Sequence, residues 1–292
     1  MIPRRSGHFC LSVIACHVLV TTSAKGTLVA ASPQLMDLRR ELEQALGDFD
    51  EAQRIQQEQP DRGRQLFRSA AQRLAGLVAE GIVSGPLEFN LGNSYLQAGD
   101  IGRAILHYRR AERLIPRDPL LADNLAVARS RCLTTITPTR SGVVLKGVFF
   151  WHYATSLESR TKLALALYVA LWIVLTLRSV LRRRVLAVFA TLLALGAVAL
   201  GTSVAAARWK DRNAPEGVVT GVDVAVYKGP AASYQRQFEQ PLQPGMEFTL
   251  RERRGGWWKL ELADGKSGWI EATQAELIPY RAPLHTLSSR PL

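Results

Sequence analysis

Two apolar runs separated by an arginine cluster constrain this chain more than any other feature. Val185 to Ala207 is 23 residues without a charge. At about 1.5 Å per residue such a helix reaches roughly 34 Å, enough for a hydrocarbon core of about 30 Å. Leu163 to Leu177 is shorter, but Lys162 and Arg178 can extend it by snorkelling to the interface. Between the runs stands Arg178-Ser-Val-Leu-Arg182-Arg183-Arg184, too short to hold a domain. The expectation is an antiparallel hairpin of transmembrane helices over 161–181 and 185–207. Four arginines in seven residues vote for a cytoplasmic loop. Arg160, Lys162, Arg208, Lys210 and Arg212 on the far side dilute that vote.

The N-terminus breaks the tie. Arg4 and Arg5 precede an apolar run from Phe9 to Val20, and Thr21-Thr-Ser-Ala follows. A basic stretch, a short apolar stretch and small residues make the plan of a secretory signal, placed here at 1–30. Val13-Ile-Ala-Cys16 also resembles a lipobox. With a signal in front, both regions flanking the hairpin are expected on the extracytoplasmic side of the bacterial inner membrane. Ahead of the first span, Val143 to Tyr153 carries Phe149, Phe150, Trp151 and Tyr153. That linker (132–160) suits either the interfacial aromatic belt or packing against the first domain.

The charge distribution excludes nucleic acid as a partner. Of the net +12, residues 132–212 hold 11 basic against 2 acidic side chains, while 36–131 are balanced and 213–280 are slightly acidic. The excess flanks the membrane runs and is absent from both candidate domains, where a nucleic-acid binder would carry it. Chemistry is equally unpromising. Cys10 and Cys16 sit in the N-terminal apolar run, and Cys132 alone makes neither an internal disulfide nor a thiolate metal cluster. His8, His17, His107, His152 and His285 form no metal-ligand spacing, and no nucleophile elbow, phosphate loop or dinucleotide fingerprint occurs. No cofactor, no metal and no enzymatic activity are expected.

Residues 34–131 read as helical. Leu35, Leu38, Leu42, Leu46 and Phe49 recur every three or four positions, and Leu66, Phe67, Ala70, Leu74 and Leu77 share a second face, with Asp61 as its expected cap and Gly81 as its end. The stretch from Pro86 to Pro116 carries Phe89-Asn-Leu-Gly-Asn-Ser-Tyr95, Gly99-Asp100, and Arg103-Ala-Ile-Leu-His-Tyr108. It resembles a tetratricopeptide repeat. In that family small residues such as Gly92, Ala104 and Ala111 sit where the helices cross, and Leu91, Tyr95, Ile105 and Tyr108 fill the seam. The period of 34 maps Asn90-Leu-Gly92 onto Asn124-Leu-Ala126, so a further unit starts at Asp118. The resemblance implies a peptide groove of Phe89, Asn93, Leu96, Gln97 and Asn124. Family members that clamp a peptide carboxylate have a lysine where this chain has Phe89. The other reading of Asn90 and Asn124 is that they bridge backbones between repeats.

After Arg212 short β-rich runs alternate with turn residues. Asp264-Gly265 between two of them is a strong hairpin signal. Five short strands over 213–281 predict a small barrel. The Val226-Tyr-Lys-Gly-Pro230 loop, Gly255-Gly-Trp-Trp258, and Asp264-Gly-Lys-Ser-Gly-Trp-Ile270 resemble the bacterial SH3-like domain. That likeness implies ligand contact through loop aromatics: Tyr227, Tyr234, Trp257, Trp258 and Trp269. Neighbours in a strand face opposite ways, so one of Trp257 and Trp258 is expected in the core and the other outside.

Together the predicted fold is multidomain: an all-α tetratricopeptide-repeat array, a two-helix transmembrane hairpin and a small all-β SH3-like barrel, with a tail at 282–292. This order resembles the BatE-like proteins of the bacterial aerotolerance group. The resemblance implies a membrane-anchored scaffold with envelope or membrane partners: proteins with von Willebrand factor A domains and, indirectly, a MoxR-type ATPase. Peptidoglycan binding through the SH3-like domain is the other expectation.

Overall fold

The computed structural model describes residues 33–132 and 155–279. The expected signal segment, the aromatic stretch at 143–153 and the tail lie outside them. The chain divides after Gly99 into two compact units.

The first unit holds three helices, α1 (Pro33–Ile55), α2 (Pro60–Ala79) and α3 (Gly85–Ala98). Ala45, Leu74, Leu77, Leu87 and Leu91 are buried together, with Leu38, Leu42 and Tyr95 packed against them. A second cluster sets Phe49 edge-to-face on Phe67, ring centroids 5.1 Å apart. Arg73 ties the two long helices, 2.9 Å from Glu41 and 3.2 Å from Asp48. The expected cap at Asp61 is corrected: Gln59 flanks α2, Pro60 fills its first turn, and Asp61 lies inside the helix, paired with Arg64. Proline takes that position readily because its missing N–H would have had no partner there. The end at Gly81 has its reason in φ +89, a left-handed backbone that lets Ile82 N–H donate to Leu77 C=O. Helix α3 is capped by Ser84, which accepts from Leu87 N–H, and ends at Gly99 with φ +87.

The second unit opens with α4 (Ile101–Leu114) and α5 (Pro119–Arg131). Asp100 and Asp118 cap them, accepting from Arg103 N–H and Leu121 N–H. Ala104, Ile105, Tyr108 and Ala111 are fully buried along α4. Next come α6 (Leu157–Leu181) and α7 (Arg184–Asn213), joined by Arg182 and Arg183 alone. Both are long and apolar enough to cross a membrane, and almost none of their apolar surface is covered by protein. Ile173 and Leu192 are 62% and 60% exposed, so the described residues of the chain leave these apolar faces uncovered. Where the two helices meet, an added Cβ at Gly196 would lie 3.2 Å from Leu167, so the glycine permits close approach. At the other end a buried Arg160 donates to Ser203 Oγ at 2.9 Å.

Helix α7 runs beyond the apolar stretch and hands the chain to β1 (Glu216–Val219) two residues later. With β2 (Glu247–Arg254), β3 (Trp257–Leu262), β4 (Ser267–Glu271) and β5 (Ala275–Leu277) it forms an antiparallel sheet ordered β4-β3-β2-β1-β5. A 3-10 turn, Ala272–Gln274, leads into β5. Gly255 and Gly256, with φ +52 and +85, make the tight turn between β2 and β3; both central positions need that backbone in this turn type. Asp264-Gly265 turns β3 into β4, with Asp264 Oδ1 accepting from Lys266 N–H. The loop after β1 closes the sheet on itself: Val224 bridges Leu242 and Tyr227 bridges Trp269. Val219, Val226, Phe248, Leu250, Leu260 and Ile270 fill the interior.

Candidate binding surface

The hairpin between Tyr227 and Arg236 builds the most distinctive surface of the barrel. Tyr227 and Trp269 exchange both backbone hydrogen bonds at 2.8 Å, so their side chains share a face of the sheet. Register places Lys259 opposite Trp269 and Glu271 opposite Trp257, which puts Trp257 diagonally beside Trp269 on that face. The Tyr227 and Trp257 rings meet edge-on at 5.6 Å. Trp269 forms the floor: it is 6% exposed, and the Arg254 guanidinium lies over its ring at 5.7 Å. Tyr234 stands at the hairpin tip, 52% exposed. Its ring lies on Gly229, where an added Cβ would come within 2.6 Å of it; only glycine leaves that seat.

Trp258 belongs elsewhere. It shares parity with Leu260 and Leu262 and packs on the barrel core, with Arg253 over its ring at 5.4 Å. The expected split of Trp257 and Trp258 between core and outside is corrected: both are half-buried, Trp258 leaning on the barrel core and Trp257 on Tyr227, because each ring covers one side of the same edge of the sheet. Tyr227 is half-buried as well, Tyr234 is exposed, and Trp269 is buried.

The groove residues named for the helical region divide less favourably. Phe89 and Asn93 are half-buried and Gln97 is exposed, but Leu96 is buried at 6% and serves packing instead of lining a groove. Asn124 is half-buried and its side chain hydrogen-bonds the buried Tyr108 hydroxyl. Burial pushes that hydroxyl well above its ordinary range, against the Arg131 charge and the Asn124 bond, so it stays a neutral phenol.

An ion-pair cluster that sequence gave no hint of joins α4 and α5 to the barrel. Arg109 lies 2.9 Å from Glu216 and 3.0 Å from Glu247, and also pairs with Glu112. Glu216 keeps Lys210 at 2.6 Å, and Glu247 keeps Arg129 at 2.6 Å. Arg110 donates to Leu277 C=O at 2.9 Å, and Arg113 pairs with Asp211 near the end of α7. Burial works to raise the Glu216 carboxyl, but Arg109 and Lys210 overcome it and hold it below its ordinary value. Burial likewise works to lower Arg109, and Glu247, Glu112 and Glu216 outweigh it. The backbones approach closely here. An added Cβ at Gly102 would lie 2.9 Å from Val219 C=O, and one at Gly245 would lie 2.8 Å from Ile105 and 3.4 Å from Cys132 Sγ.

Residues 220–275 match the family described as the bacterial SH3 domain. No curated protein and no solved structure matches the chain. The chain thus carries a helical region, two apolar helices long enough to span a bilayer, and a bacterial SH3 domain, a module that suggests protein or cell-wall binding.

Proposed function

We propose that this protein is a membrane-anchored, non-catalytic scaffold of the bacterial cell envelope, holding a tetratricopeptide-like helical region and an SH3-like barrel on one side of the inner membrane. The observation that carries the reading is the Arg109 cluster. It fastens α4 and α5 to a barrel that follows α7 by two residues, so that both elements stand at the same end of the apolar hairpin. The Arg113–Asp211 pair supports the same reading from the helix end. A secretory signal would put that end outside the cytoplasm. Following the BatE-like resemblance, the partners are envelope proteins with von Willebrand factor A domains, and through them a MoxR-type ATPase. The test is photo-crosslinking in intact membranes of the full chain, with a photoreactive residue at Gln97 or at Tyr234. Discrete adducts with envelope proteins are expected; a chain that crosslinks only to lipid at both positions contradicts the scaffold reading.

A second reading has its own support in the Tyr227–Trp257 pair seated over Trp269. An aromatic surface of edge-on rings beside Arg254 suits a cell-wall fragment carrying sugar faces and carboxylates. Detergent-solubilised full chain is expected to sediment with purified sacculi, and Trp257→Ala to abolish it. Equal sedimentation of both proteins removes this reading.

A further inference from the structure

The two ends of the α6–α7 hairpin differ in charge. Near the barrel, basic side chains mix with acids: Lys162 pairs with Glu158, Lys210 with Glu216, and Arg113 with Asp211. At the other end stand Arg178, Arg182, Arg183 and Arg184, all exposed. Among the described residues none of the four has a carboxylate partner. No Asp or Glu occurs in the chain between Glu158 and Asp211. Those two acids lie at the far ends of helices that rise about 1.5 Å per residue, roughly 30 to 40 Å from the nearest arginine on the same helix. Four guanidiniums sit within seven residues, two of them being the whole connection between the helices. Arg182 adopts φ +49, a left-handed backbone that glycine or asparagine enters more easily, yet the position carries a cation.

We infer that this arginine turn is a binding site for the phosphate of anionic phospholipid headgroups. The inference rests on the membrane reading above and adds a specific lipid chemistry to it. The occupant follows from the geometry. A two-residue connection cannot project from the bilayer, so its guanidiniums stay at headgroup depth, within reach of phosphate oxygens. Apolar exposed residues flank the cluster on both helices, Ile173 and Leu177 before it and Val185 and Val188 after it, and Val180 lies within it. A soluble acidic peptide would have to reach down to that level, whereas lipid phosphate is already there at high local concentration. Guanidinium binds phosphate oxygens in a two-pronged fashion that a compact ammonium does not. Each Lys or Arg close to an anionic leaflet adds about fivefold in affinity.

The test uses the full chain reconstituted in vesicles, with spin-labelled phosphatidylglycerol or phosphatidylcholine as reporter of lipid immobilised at the protein. The expected result is a several-fold preference for phosphatidylglycerol, lost in the quadruple variant Arg178→Gln, Arg182→Gln, Arg183→Gln, Arg184→Gln. It is kept in Arg208→Gln/Arg212→Gln, which alters the other end. Millimolar inorganic phosphate leaves the preference in place if the site reads headgroups in the bilayer, and erases it if the site takes free phosphate, which overturns the lipid assignment. A wild-type chain that resists alkaline extraction from the vesicles but shows no lipid preference overturns this inference alone. A chain that alkaline treatment releases overturns the membrane reading as well.

Discussion

Replacing Arg109 with alanine loosens the attachment of α4 and α5 to the barrel, and the structure sets the size of the effect. Arg109, Glu216 and Glu247 are 21%, 28% and 30% exposed, so the pairs are only partly screened by water. Leaving a fully buried charge without any partner costs about 3–5 kcal/mol. Of the three carboxylate partners of Arg109, Glu216 is still held by Lys210 and Glu247 by Arg129, each at 2.6 Å, and Glu112 is 40% exposed and solvated by water. The expected loss is therefore smaller, about 2 kcal/mol, close to one charge-assisted hydrogen bond with its desolvation. Cys132 supplies the assay. Its Sγ lies 3.4 Å from Pro244 C=O, half-buried against the barrel core, so it meets a bulky thiol reagent when this attachment opens. With Cys10 and Cys16 changed to serine, the full chain in lipid nanodiscs is expected to label about thirtyfold faster as Arg109→Ala than with Arg109 present, since 1.4 kcal/mol is tenfold. Glu247→Gln alone should accelerate labelling, and combined with Arg109→Ala it should add less than the separate effects predict. Tryptophan fluorescence of the variant should remain that of the folded barrel. A labelling rate within threefold of the parent, or strict additivity, refutes the assignment of Arg109 as the fastening residue.

Other perturbations separate neighbouring roles. Trp258 and Trp257 are both half-buried, so each change to alanine is expected to cost less than the ~3–5 kcal/mol of a fully buried tryptophan, with Trp258→Ala the more destabilising because it leans on the barrel core; urea titration of the two variants checks this, and a lower midpoint for Trp257→Ala contradicts it. Gly102→Ala places a methyl 2.9 Å from Val219 C=O, so it should speed Cys132 labelling as Arg109→Ala does, with no charge altered. Glu216 has a depressed carboxyl, so its stabilising share is complete above its ordinary value of 4.5 and drains away as pH falls through the lower folded value. Labelling by an acid-tolerant disulfide reagent should thus be flat through neutral pH and rise only in that acidic window.

Short-range features were legible because their causes are local. The turn at Gly99-Asp100 and the start of a helix at Asp118 sit beside the helices they bound, and Gly255-Gly256 and Asp264-Gly265 turn strands whose alternation shows on either side. The two apolar helices follow from uncharged length alone. Asp61 misled because Pro60 had already taken the opening turn of α2. The choice between Trp257 and Trp258 carried a signal in the parity of Leu260 and Leu262, but that signal becomes usable only once the strand's limits are known. Leu96 was placed in a groove by resemblance, while burial is set by neighbours distant in sequence. The Arg109 cluster was invisible for the same reason: Glu216 lies 107 residues away, and no periodicity links a helical arginine to a carboxylate on a strand. Trp269 as floor, with Tyr227 across from it, likewise depends on a bridge between a loop and β4.

Single cysteines at Asp123 on α5, at Lys266 in the β3–β4 turn and at Ser179 beside the arginine turn, each in a chain with Cys10, Cys16 and Cys132 replaced by serine, probe the membrane arrangement most directly. With a membrane-impermeant maleimide applied to spheroplasts, Asp123→Cys and Lys266→Cys should label together while Ser179→Cys stays protected until the cells are lysed. Labelling of Asp123→Cys and Lys266→Cys from opposite sides, or labelling of all three in intact spheroplasts, contradicts it.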